Sequence, residues 1–278
     1  MGSTDRQTEA LEVHLLLTGL AERYGYDLRG YLRPAVTGRC REVMLEEGLP
    51  SISALQERVL RDRACGLRLV ERVAVRPSPM FSNPDLFEAL RARVVPLLRT
   101  YPFVSIWHPS CATGEQVYSM AILLHEEGLL ARARIYATDL SEAVVARAQA
   151  AAFPLAAMAD AAAAYRLAGG RRNLADYYRR VEGGGIAVMQ PSLRENLVFF
   201  QHNLVCDAAF NEFQLVFCPN VVSQFDRELQ ARAHGILFDS LTRFGVLALG
   251  RRESMDGTPF QDRYQPLPGE MALYRRTG

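Results

Sequence analysis

The sequence predicts an α/β protein in which an open, doubly wound sheet carries an antiparallel insert and follows a small helical module. Three observations carry the prediction. The stretch from Phe103 to Asp139 reads as one β-α-β unit: the apolar run Phe103-Val104-Ser105-Ile106-Trp107, a small-residue loop, a helix from Glu115 to Glu127, and a second run Ile135-Tyr136-Ala137-Thr138-Asp139. Further apolar runs at Asn196-Leu197-Val198-Phe199-Phe200-Gln201, Gln214-Leu215-Val216-Phe217-Cys218 and Val246-Leu247-Ala248-Leu249-Gly250 alternate with helical spacing, as buried parallel strands do. The residues before about position 74 read as helices alone.

In chain order, the helical module (1–74) begins with a helix carrying Leu11, Leu15 and Leu20. It continues through Tyr31 to Glu47, Ile52 to Leu60 and Gly66 to Val73, broken at Gly25, Gly30 and Leu49-Pro50. Helices this short need a partner surface, so a small bundle is expected. Arg33, Arg39 and Arg41 cluster on the second helix, where a solvated basic face is the simplest reading. Pro77, Pro79 and Pro84 force an extended linker over 75–84. The α/β domain then runs over 85–278, opening with a helix from Asp85 to Leu98 that starts at Asn83-Pro84. Ser141 caps a helix to about Ala151, and an alanine-rich segment continues as helix to Ala168. Asp176 to Val181 and Ile186 to Gln190 flank Gly183-Gly184-Gly185 and predict an inserted β-hairpin subdomain at about 174–192. Asp226 to Phe238 is helical, and Met271-Ala272-Leu273-Tyr274 belongs to a closing hairpin.

Composition narrows the function classes. With 32 basic and 31 acidic residues the net charge is +1, which gives no overall pull toward nucleic acid or an anionic membrane. No apolar run approaches the roughly 20 residues that span a bilayer. The five cysteines, Cys40, Cys65, Cys111, Cys206 and Cys218, show no CxxC spacing. Their odd number and the lack of a signal peptide predict reduced thiols in a cytoplasmic protein, with no metal site.

The chemistry is expected at the carboxyl ends of the strands, where open parallel sheets bind ligands. There the loop His108-Pro109-Ser110-Cys111-Ala112-Thr113-Gly114 faces Asp139. An acid at the end of the second strand commonly accepts hydrogen bonds from ribose hydroxyls. The loop has a single glycine, too few to cradle a pyrophosphate, so a nucleoside cofactor without phosphate, such as S-adenosylmethionine, fits better than a dinucleotide.

The ordered set Cys111-Ala112-Thr113-Gly114-Glu115, Ala137-Thr138-Asp139, His202-Asn203-Leu204, Cys218-Pro219-Asn220-Val221 before Phe225-Asp226, and Gly250 with Glu253-Ser254 resembles the bacterial chemotaxis receptor glutamate methyltransferases of the CheR type. Tyr24-Gly25-Tyr26-Asp27, the linker Met80-Phe81 and the inserted hairpin extend the likeness to nearly the whole chain. The resemblance implies a Rossmann-like S-adenosylmethionine methyltransferase sheet behind the helical domain. It also implies that the inserted subdomain and the N-terminal helices can contact a chemoreceptor or another signalling protein. Carried over, Glu115 would meet the methionine portion of the cofactor and Asp139 the ribose. Asn203 and Leu204 would lie beside the adenine, Asn220 and Val221 at the near edge, and Ser78 on the linker beside the cofactor.

The resemblance fails at the centre of methyl transfer. The family linker reads Asn-x-Thr-x-x-Phe-Arg, whereas here Arg76 and Ser78 stand at its first two marked positions and Ser82 replaces its arginine. Gln224 replaces a tyrosine, Pro219 an arginine, Gln116 a second acid, and Pro109-Ser110 an Ala-Gly pair. Methyl transfer from a sulfonium is a direct displacement, so the protein supplies alignment and electrostatics. Losing the aligning arginine and tyrosine removes much of that supply. The sequence therefore favours a protein that holds S-adenosylmethionine or S-adenosylhomocysteine with impaired catalysis and acts by binding or regulation. The alternatives are an active glutamate O-methyltransferase in which Arg76 replaces the lost cation, and a crevice turned over to another nucleotide.

Overall fold

The structure is a computed structural model that describes residues 3–277, with side chains from Asp5 onward. The chain divides into two compact units, Met1–Val75 with Gln224–Gln230, and Arg76–Ser223 with Ala231–Gly278. The short segment Gln224–Gln230, left with the α/β domain on sequence grounds, thus groups with the helical module. Among the described residues no helix is long and apolar enough to cross a membrane.

The first unit holds α1 (Ser3–Tyr24), α2 (Arg33–Glu46), α3 (Ile52–Arg61) and α4 (Arg63–Ala74). Ser51 caps α3 by accepting the Ala54 N–H, and Asp62 caps α4 by accepting those of Ala64 and Cys65. The buried stripe of α1 is Val13, Leu16, Leu17 and Leu20. Leu11 and Leu15, which with Leu20 mark this helix in the sequence, are exposed, because at 3.6 residues per turn they fall on the face opposite the stripe. Gln224–Gln230 is held by backbone: the Leu32 N–H donates to the Gln224 carbonyl at 2.9 Å, and the Asp226 N–H donates to the Gly30 carbonyl at 2.8 Å. The Tyr31 ring meets Phe225 edge-on at 5.0 Å. Of the three clustered arginines, Arg41 pairs with Glu9 and Arg39 with Glu42, while Arg33 reaches the His14 ring. The basic face is tied down within its own module.

In the second unit α5 (Pro84–Ala89) passes through a π turn, Leu90–Val94, into α6 (Val95–Leu98). Pro96 lacks the N–H that a continuous α-helix would use there. The sheet is built from β1 (Val104–Pro109), β2 (Ala133–Asp139), β6 (Leu197–Gln201), β7 (Phe213–Cys218), β8 (Leu241–Leu249), β9 (Tyr264–Pro266) and β10 (Leu273–Arg276). Its order is β6-β2-β1-β7-β8-β10-β9; the first five strands are parallel, and β10 pairs antiparallel with both β8 and β9. Helices α7 (Glu115–Glu126), α8 (Glu142–Ala150) and α10 (Arg227–Asp239) connect the strands, and Ser141 caps α8 through the Val144 N–H as expected.

The insert is larger than the expected hairpin. Besides β4 (Tyr178–Val181) and β5 (Ile186–Met189), turning through Gly183 and Gly185 at positive φ, it contains β3 (Ala152–Pro154) and α9 (Leu155–Leu167). β3 pairs antiparallel with β5, giving the order β3-β5-β4. The sequence reading ran helix through 152–154, because alanine-rich composition hides a strand of three residues that only its pairing with residues 186–188 defines.

Candidate functional site

Since β6, β2, β1 and β7 lie side by side and parallel, their carboxyl ends bring four loops to one edge. The chain runs outward from β1 in both directions, to β2 and to β7, which is where a doubly wound sheet opens a crevice. Asp139 organises this edge. It is 4% exposed, and its Oδ2 accepts the Ala112 N–H at 2.9 Å while its carbonyl accepts the His202 N–H at 3.0 Å. One residue thus ties the loop after β1 to the segment after β6. A carboxylate offers about four lone-pair sites, so holding the loop is compatible with also accepting ribose hydroxyls.

The loop itself is bent by three left-handed residues, Ser110 (φ 51°), Ala112 (φ 48°) and Gly114 (φ 95°). That conformation costs a non-glycine residue on the order of 1 kcal/mol, so the serine at 110 is strained where the resembling family has glycine. Past Gly114 the chain enters α7, where the Thr113 hydroxyl donates to both oxygens of Glu115 at 2.8 and 2.7 Å. Burial raises the Glu115 pKa, and the backbone and Thr113 bonds that oppose it are all neutral. A half-buried carboxylate with neutral company suits an incoming ammonium group, as at the amino-acid end of S-adenosylmethionine.

On the other side of the strand pair, Asn203 builds a turn. Its Oδ1 accepts the Val205 N–H at 3.1 Å, and its N–H donates to Asp207 at 2.8 Å, leaving Leu204 buried beside it. After β7, Asn220 adopts φ 61°, a conformation asparagine tolerates well, and Val221 is buried. The sequence quoted Glu253 only as part of a motif; in the structure its buried carboxylate accepts the N–H groups of Asn220 (2.7 Å), Ser223 (2.9 Å) and Gly250 (2.8 Å). Gly250 has to be glycine, because a Cβ there would lie 2.4 Å from the Asn220 side chain and 2.8 Å from its backbone nitrogen. Replacing Glu253 by alanine is expected to cost roughly 3 kcal/mol, since three donors lose a charged acceptor at once. Denaturant unfolding of the variant checks this, and wild-type stability would refute it.

The linker residues divide. Arg76 and Ser78 are half-buried on the extended approach, while Phe81, fully buried at φ 54°, donates its N–H to Ser119 Oγ at 3.1 Å. Ser82 is exposed, and Gln116 Nε2 donates to its hydroxyl at 2.8 Å and to the Pro79 carbonyl at 2.5 Å. Ser82 and Gln116, singled out separately as replacing an arginine and an acid, are therefore one hydrogen-bonded pair. Gln224 belongs to the compact unit that holds the helices. Of the cysteines, Cys111 and Cys218 are buried thiols that burial pushes well up, so they serve as small apolar side chains. His108 was not singled out beforehand. It lies against Phe217, and burial holds its pKa down to about 3, so it is neutral.

Comparison with known proteins agrees with this arrangement. Residues 77–271 match the family model described as CheR methyltransferase, SAM binding domain. The chain is 42% identical over 275 residues to the Pseudomonas putida protein Cher3, covering 99% of this chain and all of that one. It is 29% identical over 246 residues to chemotaxis protein methyltransferase 1 of Pseudomonas aeruginosa, covering 83% and 84% of the two chains. It is also 25% identical over 248 residues to the chemotaxis protein methyltransferase of Listeria innocua, covering 87% and 90%. With its five parallel strands, the crevice around Asp139 and a family match over most of its length, the chain belongs to the CheR methyltransferases and carries their S-adenosylmethionine-binding domain.

Proposed function

We propose that this CheR-family chain holds S-adenosylmethionine or S-adenosylhomocysteine and works mainly as a binding or regulatory module of bacterial signalling, with slowed methyl transfer. The observation that carries this reading is the contrast between two halves of one domain. Asp139 grips the loop and Glu115 offers a carboxylate with neutral company, whereas at position 82 a serine hydrogen-bonded to Gln116 stands in place of the family's arginine. A neutral pair there cannot settle charge near a sulfonium or aim an acidic acceptor. Each such loss lowers a rate by about a hundredfold or more.

Calorimetry with both ligands tests the cofactor half, and failure to bind either would defeat the proposal. Transfer of labelled methyl groups to chemoreceptor fragments tests the chemistry, and rapid turnover would overturn the claim of impairment. The pairing of positions 82 and 116 adds a sharper expectation. Ser82→Arg alone puts a cation against the Gln116 amide, so the double variant Ser82→Arg with Gln116→Glu should raise methyl transfer at least about tenfold over either single change. Equal rates in all three variants would sink the coupling.

A second reading keeps the chain an active glutamate O-methyltransferase of chemoreceptors, with Arg76 as the replacement cation. It is favoured by a half-buried arginine on the linker that carries Ser82 and by relatives named as chemotaxis protein methyltransferases. In either reading a receptor tail or other signalling peptide can add to β4, which forms an edge of the inserted sheet. The ion pairs of Arg39 and Arg41 within the helical module count against α2 as the main docking surface.

A further inference from the structure

Ser82 lines a cleft of about 210 Å³ together with Asn83, Asp85, Leu249, Arg251 and Met271. Leu249 is the last residue of β8, so Arg251 reaches the cleft from the carboxyl edge of the sheet, on a different element from the linker. The cleft is too small for a nucleoside and about right for one amino-acid side chain. Arg251 is 68% exposed and held only loosely: Asp85 and Glu270 each stand 3.9 Å from one of its terminal nitrogens, beyond hydrogen-bonding distance. Its planar fork therefore has two carboxylates near it and no close pair with either. The other polar walls are uncharged. Ser82 Oγ already accepts from Gln116, which leaves its own O–H to donate inward, and Asn83 adds an amide. Leu86, Leu249 and Met271 supply apolar surface for methylene groups.

We propose that Arg251 is a positioning residue that anchors the side-chain carboxylate of an acidic residue in this cleft, beside Ser82. This rests on the reading that position 82 marks the acceptor side of the methyl-transfer centre, and it names the cation that this chain uses there. A guanidinium binds a carboxylate through two parallel N–H···O bonds, and the ligand would displace Asp85 and Glu270 from their loose positions. One arginine facing Asp85 selects a single negative charge over a phosphate dianion. A more open recess of about 430 Å³ shares Asp85, Arg251 and Met271 with the cleft and continues past Ala92 and Arg93, giving the flanking peptide a path.

The test is titration of the full chain with acetyl-Ala-Ala-Glu-Ala-Ala-amide and its glutamine counterpart, with and without S-adenosylhomocysteine. The wild type is expected to prefer the glutamate peptide about tenfold. Arg251→Gln should abolish that preference, Arg251→Lys should retain part of it, and Asp85→Asn should tighten glutamate binding by removing the competing carboxylate. A merely structural role for Arg251 would move both peptides together. Equal binding of the two peptides by the wild type, or an unchanged preference in Arg251→Gln, overturns the proposal. A wild type that binds no S-adenosylhomocysteine defeats the proposed function instead, and the comparison of peptides is still read in its absence.

Discussion

Asp139→Ala is expected to weaken S-adenosylhomocysteine binding by at least about a hundredfold, because on the proposed reading the change removes the carboxylate that accepts ribose hydroxyls, each such bond being worth roughly 1.5–3 kcal/mol. The same change takes the carboxylate from the Ala112 N–H, while the bond from the His202 N–H to the residue 139 carbonyl is backbone and stays. The loop from Ser110 to Gly114 holds two non-glycine residues at positive φ, so it is expected to relax once that anchor goes. Asp139→Asn separates the two effects. Its amide oxygen can still accept from Ala112, so the loop should hold while a charged ribose acceptor is lost, giving an intermediate affinity. Calorimetry on the three proteins reads the series, and wild-type affinity in Asp139→Ala would remove Asp139 from the site.

The second large effect concerns stability. The side chain of Glu126, at the end of α7, is 1% exposed. Its carboxylate pairs with Arg91 from the π turn and accepts the hydroxyls of Tyr165 and Tyr177 and the Arg171 N–H. Next to it Glu127 takes Arg91, Arg99 and Arg171. These bonds fasten α9 and the entry to the inserted sheet onto the main sheet's helices. Glu126→Ala leaves Arg91 with one buried partner fewer and two tyrosine hydroxyls without their acceptor, for an expected loss of about 3–5 kcal/mol in thermal or denaturant unfolding. A loss under about 1 kcal/mol would show that the network relaxes around the gap.

The pH dependence follows from the same contacts. Burial by itself would raise the Glu126 pKa, but the Tyr165 hydroxyl, the Arg171 N–H and Arg91 together more than offset it and hold it below the ordinary 4.5. A carboxylate with a lowered folded-state value adds stability that is present above its unfolded value and is lost as pH falls through the folded one. The gap between wild type and Glu126→Ala should therefore be constant near neutrality and narrow below about pH 4.5. Persistence of the full gap in strong acid would contradict the charge-based account.

Much of the fold was legible because its signals are local. The β-α-β unit announces itself through apolar runs and a small-residue loop, and Ser141 caps its helix through a bond spanning three residues. The parts that escaped depend on partners distant in sequence. Residues 152–154 become a strand only because Val188, Ala187 and Ile186 lie opposite them. Leu11, Leu15 and Leu20 mark the first helix, but only packing decides that its buried stripe runs through Val13, Leu16, Leu17 and Leu20. Glu253 gathers three N–H groups from two segments, and no spacing rule predicts that convergence.

By itself the sequence determined the family, the alternation of strands and helices, and the placing of Asp139 at a strand end, because each rests on residue type and short spacing. The tertiary structure decided which of the altered residues act together. It paired Ser82 of the linker with Gln116 of α7, placed Arg251 on the cleft that Ser82 lines, and grouped Gln224 with the helical unit. Hydrogen bonds and charge pairs act over a few ångströms in space, and only folding determines which residues come that close.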